Sequence, residues 1–252
     1  MTSDISFDHV SAEELKNAVA APDLSESAAL RLLRRRDLSF ELIETLARNG
    51  ALMNRRAVRV AVVAHPKTPR HVSVPALRQL YAFELMQLAL SPAVLADIKV
   101  AAEDALLARL ETIAAGERMT LARRASARIA AALLLDPDSR ILQAALDNPF
   151  STETEIIKVL LQGKAARQLN DLISTHPKWS LRRDVLVTLL RAPLTPLGTA
   201  LEISKALPTG VVRQVAEDSS VAAGLRSTLR QQLKDRELAD AAELSAEQRS
   251  SC

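Results

Sequence analysis

The sequence predicts an all-α protein built as a helical repeat, an α-solenoid of about five units with a spacing of about 42 residues. Four observations predict it. The composition is 48% hydrophobic but only 2% aromatic, with few glycines, so its core-forming residues are small and medium aliphatics that favour helices. Runs of alternating Val, Thr and aromatic residues between Gly-rich turns, which a β-sandwich or barrel needs, do not occur. Helix breakers recur at an even spacing: one series falls at Pro22, Pro66, Pro149 and Pro193, and a second at Gly50, Pro92, Pro137, Pro177 and near Ser219. Finally, sliding the sequence along itself by 127 positions lines up residues 12–106 with 139–233 without a gap, and roughly one position in six is identical. Arg55-Arg56 then meets Arg182-Arg183, and Pro66, Thr68 and Pro69 meet Pro193, Thr195 and Pro196. Three repeat units separate the two halves.

Each unit reads as two shorter helices followed by a longer one. After an N-terminal tail at 1–10, helices are predicted near 11–20, 24–35, 38–48, 53–64, 70–81, 83–90, 93–114 and 117–135. They continue near 138–147, 152–162, 166–175, 179–191, 196–206, 210–217 and 221–243, within one repeat domain spanning 11–243 and followed by a tail at 244–252. In the segment 53–64, Val58, Val62 and Ala61 make the apolar stripe, and Asn54, Arg55 and Arg59 make the polar side. Pro66 stops that helix, because proline disfavours helical geometry in the residue before it and has no N–H to donate. Thr68 is placed to cap the next helix, with Pro69 where an N–H would be unbonded anyway. "STETE" at 151–155 reads as a capping-box variant of the same start. One turn, near residue 108, lacks its proline.

Three helices in about 42 residues resemble armadillo repeats, with two-helix HEAT repeats as the neighbouring alternative. The turns "NPFSTE" and "HPKTP" resemble those of bacterial leucine-rich repeat variant proteins. The resemblance covers nearly the whole chain, in period and turn chemistry. It implies a right-handed superhelix whose third helices line a concave face, a scaffold role in binding other macromolecules, and no catalytic residue or cofactor.

On that implied face, Arg55, Arg56, Arg59, Lys99, Arg140, Arg182, Arg183, Arg226 and Arg230 form a discontinuous basic stripe suited to an acidic protein partner. The Arg pairs are the informative feature. They fall in the first turn of their helices, where positive charge opposes the macrodipole, and the duplication repeats that unfavourable placement. The opposing reading is a solvated surface, with Arg183 and Asp184 neutralising each other. A phosphate backbone would suit the same stripe, so a nucleic-acid-binding solenoid is the alternative partner class. Formal charge is +3 and the pI is 9.2, which allows nucleic acid without requiring it. Arginine outnumbers lysine, which suits planar anion recognition, although codon usage produces the same bias.

A HEAT-like DNA glycosylase would use aromatic side chains and an aspartate to hold a lesion, which singles out Trp179 and Asp184. Trp179 aligns with Leu52 in the duplicate, however, and that favours packing. His65 and His176 each precede Pro-Lys at a helix C-terminus, where an imidazole bonds free carbonyls, so they read as caps rather than as a metal site or general base. No metal-ligand spacing, phosphate-binding loop or nucleophile–base arrangement is present, and the reading is non-enzymatic. The single cysteine, Cys252, makes no disulfide or thiolate site within one chain. The acidic N-terminus lacks the basic flank and apolar run of a signal peptide, and no apolar run reaches the ~18 residues of a membrane helix. The expected location is the cytoplasm.

Overall fold

The computed structural model describes residues 12–21, 23–163 and 167–250, with the backbone alone at 12, 14 and 239–250. Pro22, the predicted tail at 1–10 and Cys252 lie outside the described residues. Among the described residues the chain is all-α, with seventeen α-helices, one turn of 3₁₀ helix and no strand. Most of the helices are only eight to ten residues long, so none is stable by propensity alone and each depends on burying one stripe against its neighbours. The chain divides into two compact units, residues up to Leu121 and residues from Ala122.

The first unit contains α1 (Ala12–Ala20), α2 (Glu26–Leu33), α3 (Phe40–Arg48), α4 (Gly50–Met53), α5 (Arg56–Ala64), α6 (Arg70–Leu77), α7 (Ala82–Leu90), α8 (Ala96–Leu107) and a 3₁₀ turn (Leu110–Thr112). The principal packing is local: α1 on α3, α2 on α5, α5 on α6, α6 on α8 and α7 on α8. Val58 and Val62 of α5 are fully buried, as the predicted stripe requires, with Ala61 half-buried beside them. Each such valine contributes about 1.5–3 kcal/mol of burial. Ser25, Ser39 and Asn49 cap α2, α3 and α4 by accepting from backbone N–H groups three residues on.

α9 (Ala115–Arg124) contains the division between the units. The second unit continues with α10 (Ala127–Leu133), α11 (Ser139–Leu146), α12 (Glu153–Leu161), α13 (Arg167–Thr175), α14 (Arg183–Arg191), α15 (Leu197–Ala206), α16 (Thr209–Glu217) and α17 (Ala223–Ser250). Its packing is again between near neighbours, α10 on α12, α12 on α14, α14 on α15 and α16, and α17 on α15 and α16. Helix starts in the two halves differ by 127 residues throughout: α1, α2, α3, α5, α6, α7 and α8 begin at 12, 26, 40, 56, 70, 82 and 96, while α11 to α17 begin at 139, 153, 167, 183, 197, 209 and 223. Three series of helices also recur along the chain, one of them starting at 56, 96, 139, 183 and 223.

The elements differ from the sequence reading in five places. Gly50, read as a breaker, opens the one-turn helix α4, which Asn49 starts by accepting from Leu52 N–H. The run predicted as one helix over 117–135 is two, because Asn148 is buried and its amide donates to the carbonyls of Ala122 and Ala125 at 2.7 and 3.0 Å. Those are carbonyls of the last turn of α9 and the residue after it, so the chain leaves the helix there and restarts after Ser126. The segment predicted from 179 starts as a helix only at Arg183, with a turn at 177–181 in place of its first residues. α8 stops at Leu107 and the chain turns near residue 108, where no proline is present. Arg109 does that work by donating from Nε to Ala105 O and from Nη1 to Leu80 O, both at 3.1 Å. α17 extends through Ser250, into the predicted tail, over an Ala- and Glu-rich segment of high helix propensity.

The proline turns share one internal lock. After α5, α11 and α14, the hydroxyls of Thr68, Ser151 and Thr195 donate to the carbonyl six residues back, those of Val62, Ala145 and Leu189. Thr68 therefore does not cap α6 through its side chain; Pro69 occupies the N-cap position and the threonine serves the preceding helix. In two of these turns the residue before proline adds a second lock. His65 Nδ1 accepts from Lys67 N–H while Nε2 donates to Arg35 O, and Asn148 Oδ1 accepts from Phe150 N–H while its amide donates to α9. Replacing Asn148 with Ala leaves two buried carbonyls without donors, and the expected cost is about 2–4 kcal/mol, read as a lower urea midpoint in far-UV circular dichroism; Arg140→Ala, at an exposed site, is expected within about 0.5 kcal/mol of the parent.

Candidate functional site

All nine cations singled out from the sequence lie on, or at the N-terminal end of, the same helix series: Arg55, Arg56 and Arg59 at α5, Lys99 on α8, Arg140 on α11, Arg182 and Arg183 at α14, and Arg226 and Arg230 on α17. Four belong to the first unit and five to the second. Arg55 and Arg182 are N-cap residues and Arg56 and Arg183 the first helical residues, so the like-signed opposition to the macrodipole holds in both copies.

Their electrostatic circumstances differ. Arg56 makes an ion pair with Glu84, whose side chain is 7% exposed, and its guanidinium lies 4.4 Å above the Tyr81 ring. The other Glu84 oxygen accepts from Tyr81 N–H at 2.8 Å, closing the start of α7. Arg56 therefore neutralises a buried carboxylate and ties α5 to the start of α7. Arg59 is likewise internal, donating to Met53 O at 2.9 Å and to Gln79 O at 3.2 Å. These two side chains hold the fold together, a role that helical spacing in the sequence does not reveal because their partners are 28 and 20 residues away.

The second copy lacks that arrangement. The residue 127 positions after Glu84 is Val211, which is buried, so Arg183 has no carboxylate to meet. Arg182 and Arg183 are exposed and make no side-chain hydrogen bond or ion pair among the described residues, and no bridge forms between Arg183 and Asp184. Leu181, immediately before them, is 80% exposed, more than any other large hydrophobic residue described. Arg55 in the first unit and Arg230 in the second are also exposed and unpaired among the described residues.

The remaining cations have local company. Arg140 pairs with Asp138 at 2.8 Å, and the hydrogen bonds to that carboxylate, with its charge, raise the arginine's pKa above its ordinary value. Arg226 lies near Asp218, a carboxylate held below its usual range first by the Ser220 hydroxyl and N–H and then by the charges of Arg191 and Arg226. Lys99 shares α8 with Asp97, Glu103 and Asp104, so that helix is not a basic surface.

The other residues weighed from the sequence are structural. Trp179 is 2% exposed, its indole N–H donates to Leu146 O at 2.9 Å, and Lys178 Nζ sits 4.0 Å from its ring centre. It occupies the place of Leu52, also buried, and offers no face on which a base could stack, while Asp184 is exposed on α14. His176 repeats the geometry of His65, accepting from Lys178 N–H at Nδ1 and donating from Nε2 to Asp147 at 3.0 Å. Both imidazoles thus act as turn fasteners in the tautomer with the proton on Nε2. Among the described residues no group of three His, Cys, Asp or Glu side chains is close enough to hold a metal ion, and no helix is long and apolar enough to cross a membrane.

No family model, no curated protein and no solved structure matches this chain. The duplication supplies its own comparison instead. Arg56→Ala removes the partner of a buried carboxylate and is expected to destabilise by about 1–2 kcal/mol, below the cost of breaking a fully buried pair because the arginine is 59% exposed. Arg183→Ala, at the same repeat position, is expected to change stability by less than about 0.5 kcal/mol. Adding Glu84→Val to Arg56→Ala, which copies the second unit, should restore most of the loss in chemical denaturation.

Proposed function

We propose that the chain is an armadillo-like helical-repeat scaffold, not an enzyme, and that it binds an acidic protein segment at the N-terminal end of α14. The observation that carries this reading is the run Leu181-Arg182-Arg183, an exposed apolar side chain followed by two exposed arginines without partners. Nothing in the fold is stabilised by that arrangement. The leucine loses water contact nowhere, and the arginines sit where the helix dipole disfavours them.

A partner changes both terms. A carboxylate-bearing segment gives the guanidinium groups charge-assisted, bidentate hydrogen bonds, and its apolar side chains cover Leu181. Arginine and large apolar anchors surrounded by polar residues are the usual carriers of protein–protein binding energy. The local packing of helix on neighbouring helix supports the repeat reading, since repeat proteins contact only adjacent units and present one helix of each to partners. Within the second unit Arg230 is the secondary cation of this reading, and Arg140 and Arg226, which have acidic neighbours, contribute least.

Affinity capture from lysate with the tagged full chain, at low and high salt and with nuclease in one arm, tests the proposal. A defined protein is expected to remain after nuclease and to be lost from the Arg182→Glu/Arg183→Glu variant, whose helical circular dichroism should match the parent. Retention of the same protein by that variant would sink the α14 assignment. Capture abolished by nuclease, with affinity falling steeply in salt, would transfer the arginines to a nucleic-acid backbone instead.

A further inference from the structure

We propose that the cleft between α6 and α8 binds a small carboxylate carrying an apolar tail. This goes beyond the scaffold reading and does not depend on it. The cleft has a volume of about 600 Å³ and lies wholly within the first unit. That is the size of ordinary small-molecule pockets, which are largely apolar with a few polar groups that fix orientation.

Its apolar lining comes from Val74 and Leu77 on one helix and from Ala101 and Ala105 on the other, and its cations are Arg70, Arg78 and Arg109. Arg78 is exposed and unpaired among the described residues, and Arg109 lines the same end. At the other end Arg70 faces Asp97 at 3.8 Å, with about 12 Å of α6 between Arg70 and Arg78. Asp104 is the one carboxylate in the lining, against three arginines, Arg70, Arg78 and Arg109.

The second copy shows what closes such a cleft. At the positions equivalent to Leu77 and Ala105 stand Ser204 and Gln232, whose side chains hydrogen-bond across the same helix pair, α15 and α17. Arg236, equivalent to Arg109, donates from Nη1 to Leu207 O and from Nη2 to Ser204 O at 3.3 and 2.7 Å. Arg109 keeps the first of these bonds, to Leu80 O, but its enclosed Nη2 has no hydrogen-bond partner. One copy is therefore bridged and satisfied, and the other is open, with alanine in place of glutamine and a guanidinium N–H without an acceptor. A carboxylate seated at the exposed Arg78 guanidinium, with the positive charge of Arg109 behind it, leaves an alkyl tail to lie along Val74 and Ala101.

Titration calorimetry of the full chain with decanoate, decyltrimethylammonium and decanol, each below its aggregation threshold, tests this. Saturable one-to-one binding is expected for decanoate and not for the cation. Ala105→Gln, which copies Gln232, should abolish it, and Arg78→Ala should weaken decanoate roughly tenfold while leaving decanol unchanged. Thermal unfolding followed by circular dichroism checks that both variants are folded; because Arg78 is exposed, its variant remains informative even where Ala105→Gln perturbs packing. No saturable decanoate binding, equal binding of the cation, or decanoate affinity unchanged in the two variants would overturn the proposal.

Discussion

Everything in this structure depends on the satisfaction of helix ends. A helix of nine residues has only a few internal hydrogen bonds, and its first N–H groups and last carbonyls outnumber them. The last carbonyls of α5, α11 and α14 lie next to proline, which brings no N–H of its own to the turn. The donors come from side chains: the hydroxyls of Thr68, Ser151 and Thr195, the amide of Asn148, the imidazole of His65, the indole of Trp179 and the guanidinium groups of Arg109 and Arg236. Most reach a carbonyl at or near a helix end, and those of His65 and Arg109 reach the turns that follow α2 and α6. Leucine and valine supply the burial, but these donors decide where each helix stops, and hence which stripe of the next one faces the core.

That division of labour explains what was legible in the sequence. Position and order of the helices follow from punctuation, and the two breaker series, with the 127-residue offset, place most of them. The break between α9 and α10 is not legible, because its cause, Asn148, is 23 and 26 residues from the carbonyls it takes, and the Ala-rich stretch itself is an excellent helix former. The role of Thr68 is hidden for a related reason. A threonine before Pro-Arg in the sequence has the form of an N-cap, and only the turn geometry shows that its hydroxyl points back to Val62. The candidate site was legible as a list of residues on one helix series, not as a surface, since ion pairs between elements removed some of its members from contention.

The duplication separates what the fold requires from what it merely tolerates. Arg109 and Arg236 bind equivalent carbonyls, Thr68 and Thr195 bind equivalent carbonyls, and Val58 and Val62 are matched by buried Val185 and Leu189. Those positions answer to packing and capping in both copies. At Glu84 and Val211, by contrast, one copy buries a carboxylate and the other an aliphatic side chain, and both are accommodated. The same is true of Ala105 and Gln232. A helical repeat is stable enough through its shared devices for these places to vary.

The variable places are where the two units acquire different surfaces. Arginine at the first position of α5 and of α14 is one sequence feature with two outcomes. In the first unit the charge is taken up by Glu84 and by the face of Tyr81, and the guanidinium ties two helices together at the surface. In the second, Val211 offers no charge, so the identical side chain stays in solvent beside Leu181. The α6–α8 cleft reverses the pattern: there the second unit is closed by Ser204 and Gln232, and the first is left open. Each unit thus fills one of two inherited positions internally and exposes the other. Because the exposed member does nothing for the fold, its chemistry is free to vary, and the two exposed members differ in kind: a Leu-Arg-Arg run at the start of α14 in one unit, and a largely apolar cleft lined by arginines in the other.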